Sequence, residues 1–138
     1  SSGIDYTIFW RQLAIVIESP TTSDESLVAP LLPAFYERPS TDTSGRWSSW
    51  LGKWSAAVLA AEGAGDATTI AARLRAVNPK YVPREWMLAD AYKEASYGSF
   101  DVVHDLHTLF LRPYDEQEEF EAKYYRRAPD GALAKGGL

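Results

Sequence analysis

Apolar residues recur along most of this chain at three- and four-residue intervals, the spacing that gathers side chains on one face of an α-helix. Tyr6, Phe9, Trp10, Leu13 and Ile17 form the first stripe, which Ser19-Pro20 closes because a residue before proline avoids the α region. Trp47, Trp50, Leu51, Trp54, Val58 and Ala61 form a second and longer one, punctuated by Gly63 and Gly65. Asp66 is placed to cap a short helix with Ile70, Leu74 and Val77 inward, stopped by Asn78-Pro79. Pro83 suits the first turn of a helix that turns Met87, Leu88, Ala91, Tyr92 and Ala95 inward and ends at Gly98. Asp101 is expected to cap the next, with Val102, Leu106, Leu109 and Phe110 on its inner side and Arg112-Pro113 at its end. Asp115 with Glu118 reads as the N-terminal box of a last helix. Between positions 27 and 37, Pro30 and Pro33 remove two backbone donors from an apolar segment, so a broken helix is expected there.

No strand pattern competes with these stripes. Ile15-Val16-Ile17 lies inside a helical repeat, and Asp130-Gly131 lies in a polar tail and joins no alternating segments. The fold class expected is all-α, a single helical domain of six to seven helices joined by short loops over residues 1–127. A flexible, Gly-rich tail over 128–138 should follow. No internal repeat is visible.

Composition narrows the function classes. With 138 residues, 46% of them hydrophobic, the chain can bury one modest core. It has no run of eighteen apolar residues, so no membrane partner is expected. The net charge of −5 and the pI near 5.0 speak against nucleic acid as a partner, since phosphate binding needs clustered Lys and Arg. Residues 1–69 carry eight acids and four bases and residues 70–138 eleven acids and ten bases, so neither half is a basic arm. The absence of cysteine excludes a disulfide framework, a thiol nucleophile and a cysteine zinc site.

The candidate chemistry is thin. His104 and His107, three apart near Asp101 and Asp105, lack the further ligands a metal needs and read as surface residues. The acids Asp115, Glu116, Glu118, Glu119 and Glu121, followed by Lys123, Arg126 and Arg127, complement a helix dipole better than they resemble an acid–base pair. Gly63-Ala64-Gly65-Asp66 follows no strand and reads as a C-cap and an N-cap rather than a phosphate loop. Trp47, Trp50 and Trp54 read as core or interface residues before ligand platforms. Ser48 and Ser49 sit in no nucleophile elbow. Asn78, Lys80 and Arg84 border a rigid interhelical loop where three polar side chains can converge on one surface. The simpler alternative has Asn78 capping, Lys80 solvated and Arg84 paired with an acid such as Asp90.

Two segments stand out together: Asn78-Pro79-Lys80-Tyr81-Val82-Pro83-Arg84-Glu85-Trp86-Met87-Leu88, and Arg112-Pro113-Tyr114-Asp115-Glu116-Gln117 with Phe120. With the opening Asp5-Tyr6-Thr7-Ile8-Phe9-Trp10-Arg11, they resemble the C-terminal region of the selenoprotein O family, the YdiU-like protein adenylyltransferases with a pseudokinase fold. Glu85-Trp86 departs from the Arg-Asn-Tyr of many bacterial relatives. The resemblance implies a whole protein that transfers AMP from ATP to Ser, Thr or Tyr hydroxyls of protein substrates with a divalent metal, Mg or Mn. The location it implies is mitochondrial in a eukaryote and cytoplasmic in a bacterium. The catalytic parts lie upstream, so this chain is expected to hold no catalytic, cofactor or metal residue. The family commonly carries a selenocysteine or cysteine near its C terminus, a residue type absent here.

The resemblance makes the chain an accessory domain whose partner is the upstream kinase-like region. A free-standing helical protein-interaction module is the alternative. The residues that would carry the motif or an interface are Asn78, Lys80, Arg84, Tyr114 and Asp115, together with Trp47, Trp50 and Trp54. Lys80, Arg84 and at least one tryptophan are expected to border one exposed patch.

Overall fold

The computed structural model describes residues 3–19, 23–61, 63 and 65–130. Seven α-helices occur among them: α1 (Tyr6–Glu18), α2 (Asp24–Val28), α3 (Thr41–Ala60), α4 (Ala67–Val77), α5 (Glu85–Ser96), α6 (Asp101–Leu111) and α7 (Glu118–Tyr124). A 3-10 helix (Ala29–Ala34) continues α2, and the two prolines in it account for the tighter turn, since each removes a backbone donor. The broken helix is therefore as expected. Among the described residues there is no strand; Ile4 and Phe35 form one isolated antiparallel bridge. The fold is all-α. Most of the expected tail, residues 131–138, lies outside the described residues. The chain divides after Asn78 into two compact units.

The first unit is built around α1, which packs on α4, the 3-10 helix and α3, while α2 packs on α3. The helix starts cleanly because the Asp5 carboxylate accepts the Ile8 backbone N–H at 3.0 Å. Its burial is wider than the single stripe expected. Ile8, Phe9, Leu13, Ala14, Val16 and Ile17 are all buried, whereas Tyr6 is 75% exposed. Two polar side chains, Arg11 and Gln12, are buried with them because backbone carbonyls receive their hydrogens. Arg11 donates from Nη1 to the carbonyls of Arg75 and Asn78, both at 2.9 Å. Gln12 donates to the Pro30 carbonyl at 2.8 Å. A guanidinium at the last carbonyls of α4 satisfies groups that the helix leaves open and complements its dipole. Glu18 and Arg75 pair bidentately at 2.6 Å on the same unit.

Helix α3 is the longest, as its stripe foretells, and Ser40 caps it. Asp66 caps α4 by accepting from Thr69 N–H at 2.8 Å, as expected, with Ile70 and Ala71 inward. Val77, expected inward, is 70% exposed because it falls on the last turn.

The second unit packs α5 against α6 and closes with α7. Its core is Tyr81, Trp86, Met87, Ala91, Leu106, Leu109 and Tyr124, with Val102, Phe110, Phe120 and Tyr125 packed around it. Several expectations need correction here. Helix α5 starts at Glu85, two residues after Pro83, and Leu88 and Tyr92 face outward because Trp86 takes the inner position one residue round the helix. Asp101 is the first residue of α6 and makes no capping hydrogen bond. Asp115 does not box α7 either. That helix begins at Glu118 after Gln117, whose φ of 42° is left-handed.

Candidate functional site

The two segments that carry the family resemblance meet inside the second unit, at Lys80. The backbone N–H groups of Lys80 and Tyr81 both donate to the Pro113 carbonyl, at 2.9 and 3.1 Å. This clamps the loop before α5 onto the turn after α6. The Lys80 side chain is only 3% exposed, and its ammonium lies 2.8 Å from carboxylate oxygens of both Glu116 and Glu121. It also sits 5.6 Å from the Tyr81 ring centre and 5.1 Å from that of Tyr125. The Tyr81 hydroxyl lies 3.0 Å from the Glu116 carbonyl and 3.1 Å from that of Gln117. The surface expectation for Lys80 is thus corrected, because a lysine is buried when fixed carboxylates replace its water.

Gln117 completes the node. Its amide donates from Nε2 to the carbonyls of Leu109 at 3.0 Å and Arg112 at 2.8 Å, so it closes the C-terminal end of α6 while its left-handed backbone starts α7. Next to it, the Tyr124 hydroxyl and the Lys123 ammonium share one Asp105 oxygen, at 2.8 and 2.7 Å. The Arg126 guanidinium lies 4.2 Å over the buried Trp86 ring.

Burial pulls the Lys80 pKa down, but the hydrogen bonds its ammonium donates to Glu116 and Glu121 outweigh it and the net shift is upward. For Tyr81, burial dominates and pushes the phenol up, against the pull of the Lys80 charge. A lysine kept charged and enclosed in this way offers no lone pair to act as nucleophile or base. The node is built to hold two segments together.

The other candidates fall elsewhere. Asn78 belongs to the first unit, where its side chain donates to the Leu74 carbonyl at 2.8 Å and ends α4. Arg84 is the residue from which α5 starts. Tyr114 is 47% exposed, and Asp115 lies 3.5 Å from Arg112. With Lys80 enclosed and Asn78 capping, the patch expected around Lys80, Arg84 and a tryptophan does not form. Trp47, Trp50 and Trp54 line up on α3, with ring centres 5.8 and 6.1 Å apart, and Trp50 is 41% exposed. Of the other node residues, Tyr81, Glu116 and Gln117 lie in the two segments of the resemblance without standing among the site candidates, and Glu121 and Tyr125 lie outside them; in the sequence the acids read as a solvated helix start.

Over almost its whole length the chain is similar to bacterial proteins named protein nucleotidyltransferase YdiU. It is 34% identical to that of Flavobacterium johnsoniae over 139 aligned positions, covering 96% of this chain and 25% of the relative. The protein of Cupriavidus pinatubonensis is 38% identical over 98% of the chain and 23% of the relative. That of an Azoarcus species is 36% identical over 97% and 24%. The chain belongs to the YdiU, or selenoprotein O, family. It corresponds to a C-terminal part and spans about a quarter of the length of these curated relatives. No protein-family model matches it, and no solved structure does.

The YdiU relatives' printed name implies a nucleotide for those proteins. Among the described residues no three His, Asp or Glu side chains gather as metal ligands. Gly63 and Gly65 have φ of 67° and 86° and lie between the end of α3 and the Asp66 cap, with no strand before them to form a phosphate cradle. No helix among the described residues is long and apolar enough to cross a membrane.

Proposed function

We propose that the chain is the C-terminal helical accessory region of a YdiU-type protein nucleotidyltransferase. In its whole form this enzyme transfers AMP from ATP, with a divalent metal, to Ser, Thr or Tyr hydroxyls of protein substrates. The carrying observation is the match of 96% of this chain to only 25% of a YdiU relative. ATP, the metal and the transfer chemistry then belong to the kinase-like region of the same protein, which is this chain's partner. The enclosed Lys80 supports the division, because the most polar buried group of the second unit is consumed in packing. A free-standing interaction module is the weaker alternative, since its relatives would be expected to match it in length.

The test uses ATP labelled on the α-phosphate with Mg or Mn. The whole protein that carries this chain should transfer label to itself or to a protein mixture, and residues 1–138 alone should transfer none. Absence of transfer by the whole protein, or transfer by the chain alone, overturns the proposal.

A further inference from the structure

Helix α3 turns an unusual face outward. Phe9, Trp10, Thr43, Arg46, Trp47 and Trp50 line a groove of about 500 Å³. Beside it lies a shallow depression lined by Asp42, Gly45, Arg46, Ser49, Trp50 and Lys53. The rings are in mutual contact, Phe9 to Trp47 at 5.6 Å and Trp50 stacked on Trp54 at 6.1 Å, so the aromatic surface is held in shape before anything covers it. Gly45, Ser49 and Gly52 fall at i, i+4 and i+7 on the same helix, forming a furrow next to Arg46, Trp50 and Lys53.

The two glycines have no use within the described chain. A Cβ added at Gly45 or Gly52 would meet nothing within 4 Å, and neither has a positive φ. Glycine inside a helix is costly, because the unfolded chain gains freedom and the helix gains no packing. A bare backbone beside an aromatic groove suits the close approach of another helix.

We propose that this face of α3 is where a helix from the preceding part of the same polypeptide docks, its backbone over Gly45, Ser49 and Gly52 and its carboxylates toward Arg46 and Lys53. The proposal rests on the reading of the chain as part of a YdiU-type protein. Three observations select this occupant. About three quarters of the relatives' length lies outside the match. The preceding chain enters at Gly3, where Tyr36 N–H donates to the Gly3 carbonyl at 3.1 Å, and α1 then leads within two turns to Phe9 and Trp10 of the groove. A tethered partner is thus present there at high effective concentration. Charge agrees in balance, because Arg46 and Lys53, two of only four bases in residues 1–69 against eight acids, outnumber Asp42 along the depression.

The chain contains no cysteine, so Ser49→Cys introduces one thiol at an exposed position within it. Labelling of that thiol by a small disulfide reagent, read on the peptide by mass spectrometry, should be at least about tenfold slower in the whole protein than in residues 1–138. Adding Gly52→Trp, which fills the furrow, should restore the fast rate. Equal rates in the two proteins overturn the proposal. Slowing already present in residues 1–138 and rising with their concentration also overturns it, in favour of a second copy as the occupant. The AMP-transfer assay reads the other proposal separately. Slow labelling without transfer leaves docking standing and removes the enzymatic reading, and transfer with fast labelling does the reverse.

Discussion

The Lys80 ammonium and the Glu121 carboxylate meet at 2.8 Å across 41 residues of sequence, and with Glu116 they join the loop before α5 to the start of α7. Both carboxylate side chains are 52% exposed, so water shares them, whereas the ammonium depends on them almost entirely. Truncating the lysine should therefore cost more than neutralising one acid. Lys80→Ala is expected to lower the unfolding free energy by about 2–3 kcal/mol, from lost packing between the Tyr81 and Tyr125 rings and a lost ion pair. Lys80→Met, which keeps the stem, should cost about 1 kcal/mol less, because the apolar contacts survive. Urea unfolding of the chain ranks the two, and equal losses would deny the stem its part.

Gln117 holds a left-handed backbone that glycine would adopt freely, yet only its side chain reaches the Leu109 and Arg112 carbonyls. The expected order of stability is wild type, then Gln117→Gly, then Gln117→Ala. Alanine should fall about 1 kcal/mol below glycine, the usual left-handed penalty, and glycine about 1–2 kcal/mol below wild type for the two lost hydrogen bonds. Thermal unfolding measures it; alanine at or above glycine would mean that the backbone is not left-handed there.

Gly45 and Gly52 give the opposite sign. Since nothing lies within 4 Å of an added Cβ at either, Gly45→Ala and Gly52→Ala should each raise the stability of residues 1–138 by about 0.5–1 kcal/mol. A loss in denaturant unfolding would show that the helix interior is closed at these positions.

Local patterning made the helices legible, because the 3.6-residue period needs only neighbours a few positions apart. Asp66 and the Pro30 and Pro33 break belong to the same class of signal. Arg11 and Gln12 were not legible as core residues, since their burial depends on the carbonyls of Pro30, Arg75 and Asn78, up to 67 residues away. Lys80 failed for the same reason. A lysine is read as solvated by default, and its partners are 36 and 41 residues distant. Asp115 misled because its spacing to Glu118 fits a capping box, whereas Gln117 in a left-handed conformation shifts the start of α7 past it.

The second unit should lose stability in alkali. Lys80 is raised in the folded state because its hydrogen bonds outweigh its burial, and Lys123 because its ammonium donates to Asp105 and bonds with Tyr124. Tyr81 and Tyr124 are raised as well, chiefly by burial. All four therefore hold their protons in the folded chain at a pH where the unfolded chain has begun to release them. Their contribution is fully present below the unfolded values, roughly 10 for both residue types, and declines as pH rises through the folded values. Asp105 works in the other direction. Burial raises it, but hydrogen bonds from Lys123 and Tyr124 outweigh this and lower the net, so its contribution is present above roughly pH 4 and fades below. Denaturant midpoints measured at intervals from pH 3 to 11 should form a plateau between these limits and fall at both ends. The alkaline fall should shrink in Lys80→Met, which removes the largest enclosed charge from the set. A midpoint that climbs above pH 10, or an alkaline limb unchanged by Lys80→Met, would show that the lysine does not hold its proton more tightly in the fold.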